Sequence, residues 1–108
     1  MGHADIYKGC AISYTEEPSS NIRVAAAQAA DELLLIKGVV ASFVLFKMGN
    51  DVNISARSFG ELNVQVILEA FGGGGHLTMA GAQLKDTTIE TAIKELMFQI
   101  DMRLEQQS

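Results

Sequence analysis

The chain has 108 residues, 48% of them hydrophobic, and thirteen acidic residues against eight basic ones give it a net charge of −5. This length fits one small domain with a core of its own. The acidic balance excludes a protein that binds nucleic acid through general attraction to its backbone, so a phosphate site would have to be local. No apolar run reaches the ~20 residues of a membrane helix, and the single cysteine, Cys10, indicates a reducing, cytoplasmic setting.

The first predicted elements are a strand and a helix. Residues Cys10–Tyr14 have the composition of a strand, and the segment 16–20, with a proline and two serines, ends it. From Ile22 to Ile36 apolar residues recur at helical spacing. Gly38 then stands where a helix C-cap belongs.

A β-hairpin is predicted next. Residues 39–47 form an apolar, β-branched run of strand length, residues 48–51 have turn chemistry, and residues 52–58 form the returning strand. Alternation along this second strand places Arg57 on the face opposite the apolar residues, and Ser58 follows it directly.

Two further helices and a strand are predicted in the second half. Asn63 can cap a helix that ends at Gly72, and Ala80–Leu84 predicts a short strand. The capping box Thr87–Glu90 begins the last helix. The order β-α-β-β-α-β-α therefore predicts a single small α/β domain, a mixed sheet with helices packed on it.

Four consecutive glycines, Gly72–Gly75, followed by His76, are not explained by propensity. Each Gly in place of Ala can cost about 0.4–1 kcal/mol through the entropy of the unfolded chain. The run therefore indicates an unusual backbone conformation or a close approach of the main chain to a ligand. The N–H groups of Gly73, Gly74 and Gly75 could converge on an anion; the alternative is a long flexible turn. No P-loop or dinucleotide fingerprint is present, because no Lys-Ser/Thr follows and the run comes after a helix.

Four polar side chains are candidates for contact with a phosphate-bearing ligand. His76 can donate to a phosphate oxygen or stack on a base, and Arg57 and Ser58 could both reach a phosphate. Asn63 is a helix cap first and a ligand contact second. Each of these residues could instead have a purely structural role, such as a histidine that packs or a charge at the surface. The prediction of a ligand site therefore depends on their occurring together with the glycine run.

No catalytic or metal-binding constellation is apparent in the sequence. Metal-dependent phosphoryl hydrolysis needs clustered Asp and His ligands, whereas the five Asp residues are scattered and the histidines are His3 and His76. We therefore predict no catalytic residue, no metal site and no cofactor in this chain.

The glycine loop is part of a longer set of motifs. They are Ser55-Ala56-Arg57-Ser58, Asn63-Val64, Gly72-Gly73-Gly74-Gly75-His76 and Ala80-Gly81. This set resembles the DHH-associated C-terminal domain of DHH-family phosphoesterases, which include RecJ-type exonucleases, oligoribonucleases and cyclic dinucleotide phosphodiesterases. The runs Asn63–Ile67 and Gly75–Thr78 are most similar to the GdpP type, which hydrolyses cyclic-di-AMP to the linear dinucleotide.

The resemblance implies that residues 1–108 are a substrate-binding domain. A separate DHH domain of the parent protein would carry the Asp and His ligands of a manganese pair, so this chain alone is expected to be inactive. Arg57, Ser58, Gly73–Gly75 and His76 would contact the phosphate or the base. Parents of the GdpP type are anchored in the cell membrane with this domain on the cytoplasmic side, and no direct membrane contact is expected of this part.

Two alternatives remain open at this point. The same domain could serve an oligoribonuclease or a RecJ-like exonuclease, with short oligonucleotides as substrate. An alternative from another functional class is a non-catalytic interaction or dimerisation module, with a second copy of the chain as its partner. The alanyl-tRNA synthetase version of the domain is disfavoured because it places Arg after the glycines.

Overall fold

The computed structural model describes residues 4–17 and 19–107. Within these residues, six strands and three helices follow one another as β1 (Ala4–Tyr7), β2 (Cys10–Thr15), α1 (Ile22–Leu33), β3 (Ala41–Met48), β4 (Asp51–Ser58), α2 (Val64–Glu69), β5 (Gly74–His76), β6 (Met79–Leu84) and α3 (Ile89–Gln107). The predicted small α/β domain with a mixed sheet is confirmed.

All six strands belong to one sheet, in the order β1-β2-β3-β4-β6-β5. β2 and β3 run parallel because α1 connects them as a crossover, whereas the other neighbouring strands are antiparallel. The glycine loop therefore contributes the edge strand β5, and β6 separates it from β4.

The two faces of the sheet are covered unequally. On one face α2 and α3 enclose the main core, whose fully buried side chains include Phe43, Leu45, Leu68, Leu96 and Ile100. On the other face α1 packs on β3 and β4. The side chains in this smaller cluster are Ile22, Ala26, Ala30, Val44 and Phe46. The outward residues of β6 on this second face are exposed: Met79, Gly81 and Gln83.

Two strands are missing from the sequence prediction. β1 is a half-exposed edge strand without apolar alternation, joined to β2 through Lys8 and Gly9, which both have positive φ. β5 consists of Gly74, Gly75 and His76, and its pairing with β6 makes it a strand. Neither segment has the β-branched or aromatic residues by which a strand is recognised in sequence.

The first helix is shorter than predicted. α1 ends at Leu33 rather than Ile36, because the N–H groups of Leu35 and Ile36 donate to carbonyls three residues back, at 3.0 and 3.2 Å. This is the tight 3₁₀ pattern that commonly ends a helix. Gly38, with φ of +88°, then reverses the chain as expected. The proline expected to end β2, Pro18, lies outside the described residues.

The start of the last helix differs from the prediction by one residue. The predicted box begins at Thr87, but Thr88 is the residue whose hydroxyl accepts the N–H of Thr91, at 3.1 Å. None of the helices within residues 4–17 and 19–107 is long and apolar enough to cross a membrane.

Candidate functional site

The glycine run begins as the C-terminal cap of α2. Gly72 has φ of +82°, a left-handed conformation that favours glycine. The N–H of Gly72 donates to Glu69 O and that of Gly73 to Leu68 O, both at 3.0 Å. These two N–H groups therefore end the helix. That of Gly73 already has an acceptor and, contrary to the expectation from the sequence, does not converge on an anion with those of Gly74 and Gly75.

The next glycines bring the backbone of β5 very close to β6. A Cβ on Gly73 would collide with Gly81 O and the side chain of Ala82. A Cβ on Gly75 would collide with Met79 O and Ala80, and the φ of Gly75 is +149°. Packing against β6 thus explains why these two positions are glycine, without any ligand.

Strand register places Arg57 and His76 on the same face of the sheet. Arg57 of β4 lies opposite Met79 of β6, and Met79 lies opposite His76 of β5. Directly opposed residues point to the same side, so the three form one row across three strands. With neighbouring strands about 4.8 Å apart, Arg57 and His76 are about 10 Å apart at the backbone. The structure therefore brings together the two side chains that the sequence singled out most strongly.

Arg57 is oriented by the helix that covers its neighbours. Its Nε donates to Asp31 Oδ1 of α1 at 3.0 Å, and Nη1 donates to Ala56 O at 2.9 Å. The Arg57 side chain is 12% exposed, whereas Asp31 is 65% exposed. Next to this pair, the buried hydroxyl of Ser42 donates to Ala30 O at 2.6 Å. The end of α1 is thereby joined to β4 through Arg57 and to the neighbouring β3 through Ser42.

Ser58 is separated from Arg57 by the sheet itself. Neighbouring residues on a strand point to opposite faces, and Ser58 is buried on the side of α2. Its hydroxyl donates to Leu77 O at 3.1 Å and accepts the N–H of Gly60 at 3.2 Å. The structure therefore shows the two side chains apart, with Ser58 holding the turn between β5 and β6.

Asn63 occupies the capping position that the sequence predicts. Its Oδ1 accepts the N–H of Val66 at 3.3 Å at the start of α2. The N–H of the next residue, Val64, donates to Leu77 O at 3.3 Å. Ser58 and the start of α2 at Asn63 and Val64 thus hold Leu77, the residue after His76, on one side of the sheet, while Arg57 lies on the other.

Sequence reasoning did not name Met79 as a site residue, and it named Gly81 only as part of the family motif. Met79, 50% exposed, lies in the row of Arg57 and His76, and Gly81 lies opposite Gly74 two residues further along β6. Alternation in Ala80–Leu84 could have revealed this, since Ala80, Ala82 and Leu84 are buried. Within residues 4–17 and 19–107 no group of three His, Cys, Asp or Glu side chains is arranged to hold a metal ion.

Comparison with known proteins adds sequence evidence to this geometry. The model of the DHHA1 domain family matches residues 10–105. The chain is 54% identical over 89 residues to the cyclic-di-AMP phosphodiesterase GdpP of Geobacillus thermodenitrificans, an alignment covering 82% of the chain and 14% of that relative. It is 50% identical over 96 residues to the cyclic-di-AMP phosphodiesterase PdeA of Listeria monocytogenes, covering 88% of the chain and 15% of that relative.

A solved structure supports the same relationship. An exopolyphosphatase-related protein from Bacteroides fragilis superposes with a TM-score of 0.76 at 26% identity, covering 92% of this chain and 31% of that one. The chain thus spans about a seventh of the two phosphodiesterases and under a third of this structure.

Proposed function

Since this chain belongs to the DHHA1 domain family, we propose that it is the substrate-binding domain of a cyclic-di-AMP phosphodiesterase. It holds the cyclic dinucleotide while a separate DHH domain of the parent protein cleaves it to the linear dinucleotide. The observation that carries this proposal is the row Arg57–Met79–His76, which runs from the edge of α1 to the exposed edge of the sheet beside the glycine loop. The identity of half or more with two cyclic-di-AMP phosphodiesterases supports the choice of substrate.

Arg57 is the residue suited to the phosphodiester. Its guanidinium is held by Asp31 and by Ala56 O, so little side-chain entropy remains to be lost when it binds an oxyanion. Hydrogen bonds from a guanidinium to a phosphate oxygen are charge-assisted and stronger than neutral ones. His76, exposed at the edge of the sheet, donates to a second phosphate oxygen or contacts the adenine.

The remaining candidate residues shape the loop. Gly73 and Gly75 allow β5 to lie against β6, and Ser58 and Asn63 hold the segments on either side of it. Gly74 has open space beside it and, unlike Gly72, no positive φ, and we assign it as the point where a ligand approaches the main chain. These roles keep His76 in register with Arg57.

The hydrolytic step is assigned to the other domain. Two metal ions a few ångströms apart would stabilise the attacking and leaving oxygens there. The described residues of this chain do not offer a set of ligands for such a pair, so its part is to bind and orient the substrate. The purified chain supplied with Mn²⁺ is expected to leave cyclic-di-AMP intact.

A titration of the purified chain with cyclic-di-AMP, followed by NMR, tests the proposal. Arg57→Ala should weaken binding by about tenfold or more, because a hydrogen bond to a charged group contributes about 1.5–3 kcal/mol. The matched control is Arg23→Ala, which removes the same charge from the exposed start of α1. Saturating ligand that shifts no resonance at Gly74 or His76 would contradict the proposal, as would equal losses in the two variants. Binding of short RNA in place of cyclic-di-AMP would move the assignment to an oligoribonuclease.

A further inference from the structure

Two glycines near the site have no structural explanation. A Cβ on Gly74 would meet no atom within 4 Å, and one on Gly81 would meet only Ile54 O, at an ordinary contact distance of 3.4 Å. Neither residue has a positive φ. Gly72, Gly73 and Gly75, in contrast, are required by conformation or by contact with β6. Local structure therefore accounts for three glycines of this region and leaves Gly74 and Gly81 unexplained.

Gly81 is the more unusual of the pair, because it lies in the middle of β6. Glycine weakens a strand interior, and where no bulge is present it marks a place that something approaches closely. The register from Val52↔Leu84 to Arg57↔Met79 is continuous, so β6 has no bulge at this point. The backbone of Gly73 lies close to that of Gly81. This contact explains why Gly73 has no side chain, because its Cβ would collide with Gly81 O, but it does not explain why Gly81 has none.

The two glycines lie directly opposite each other. Gly74 of β5 pairs with Gly81 of β6, and Gly81 pairs with Ser55 of β4. This row lies two residues, or about 6.8 Å, from the row of Arg57, Met79 and His76, and on the same face. α1 packs on β3 and β4, and Gly81 is exposed. The result is a patch of bare main chain bordered by Met79 and His76 on one side and Gln83 on the other.

We propose that Gly74 and Gly81 form a side-chain-free window that receives the flat face of a nucleobase. A planar ring can lie against peptide groups only where no Cβ stands up from the sheet, and these two positions clear adjacent strands at the same level. Dispersion contacts fall off steeply when the surfaces are separated by even 1 Å. The inference rests on the proposed function, because Arg57 and His76 then hold the phosphate attached to the nucleoside whose base lies on the window. Met79 contacts the edge of the ring.

The window makes a prediction that a phosphate-binding loop does not make. If Gly74 and Gly81 receive a base, a side chain at either position weakens ligands that carry a base and spares those that carry only sugar and phosphate. If instead the loop binds phosphate, both kinds of ligand are affected alike. The comparison of AMP with ribose 5-phosphate separates the two, since they share the phosphate and the ribose.

The experiment titrates the purified chain with AMP, ribose 5-phosphate and cyclic-di-AMP, followed by NMR. Gly81→Ala and Gly74→Ala should weaken AMP and cyclic-di-AMP by at least about fivefold, and Gly81→Val should weaken them further. Ribose 5-phosphate should bind each variant as it binds the wild type. Gln83→Ala is the matched control, because it changes the same face of β6 next to the window without adding an atom to it. Wild-type-like melting temperatures of the alanine variants confirm that the sheet is intact.

The outcomes distinguish this inference from the proposed function. If AMP affinity is unchanged in Gly81→Ala and Gly81→Val while Arg57→Ala still weakens cyclic-di-AMP binding, the window is wrong and the proposed function stands. Equal weakening of AMP and ribose 5-phosphate by Gly81→Ala also overturns the window, in favour of a phosphate contact. If the wild-type chain binds none of the three ligands, the proposed function fails and the window fails with it.

Discussion

The two faces of the sheet show how differently one strand can be constrained on its two sides. Along β6, Ala80, Ala82 and Leu84 point into the core under α2 and α3. Met79, Gly81 and Gln83 point the other way and are exposed. On the first face each side chain is determined by the volume around it. On the second face packing does not determine the residues of β6, so the glycine pair Gly74 and Gly81 remains without a structural explanation there, and this supports the proposed ligand.

The largest expected difference between the faces is in stability. Leu84→Ala should lower the free energy of unfolding by about 2–4 kcal/mol, because it empties a buried position. Met79→Ala removes a side chain of similar size from the exposed face of the same strand, and should change the free energy by about 0.5 kcal/mol or less. Urea unfolding monitored by circular dichroism measures both. Comparable losses would show that the second face is packed against something after all.

A smaller effect is expected within the glycine run. Gly73→Ala should destabilise the chain by about 2 kcal/mol, because its Cβ would displace the backbone of β6 at Gly81. Gly74→Ala should be neutral or stabilise by up to about 0.5 kcal/mol, since the new methyl group meets open space and the unfolded chain loses entropy. The same denaturation experiment compares them. If Gly74→Ala costs as much as Gly73→Ala, the whole run is structural and the window loses its support.

The smallest effect is expected at the connection between β1 and α3, away from the site. The hydroxyl of Tyr7 donates to both oxygens of Asp101 at 2.8 and 3.0 Å, and Lys8 Nζ donates to Oδ1 at 2.8 Å. Hydrogen bonds from Lys8 and Tyr7 lower the pKa of Asp101, and the bond to Asp101 raises the pKa of Tyr7.

These two pKa shifts set the pH range in which the connection stabilises the fold. A lowered carboxyl pKa stabilises the fold above the ordinary pKa of Asp, and that stabilisation is lost as the pH falls through the folded value. A raised phenol pKa stabilises below the ordinary pKa of Tyr and is lost as the pH rises through the folded value. Asp101→Asn should therefore flatten the acid side of the profile of melting temperature against pH. Substitution of the exposed Glu90 by Gln is the control, and an equal flattening there would contradict the assignment.

Much of the fold could be predicted because the signals are local. Helical spacing identified α1 and α3, the Asn63 cap identified the start of α2, and the turn residues 48–51 identified the β3–β4 hairpin. Each depends on residues within a few positions of one another, whose effect survives in almost any tertiary context. β5 was missed because a segment of glycine and histidine has no strand propensity, and only the neighbouring β6 makes it a strand.

For the candidate site, the sequence proposes the members but not their arrangement. Arg57, His76 and the glycines were identified from residue type and from the family resemblance, and membership of the DHHA1 family is confirmed. The expectation that Arg57 and Ser58 act side by side did not account for strand alternation, which directs them to opposite faces. The expectation that consecutive glycine N–H groups face an anion did not account for the cap of α2, which uses those of Gly72 and Gly73.

The sequence by itself determined the class of the fold, the family and the residues with the chemistry to bind a phosphate, because these depend on composition, spacing and short motifs. Tertiary structure alone decided which glycines have room for a side chain. Gly73 and Gly75 have none, because a Cβ there would collide with atoms of β6, which follows them in the chain. It also decided that Arg57 and His76 share a face, because their register passes through Met79 on a third strand. Only the pairing of β5, β6 and β4 brings such distant parts of the chain to one surface.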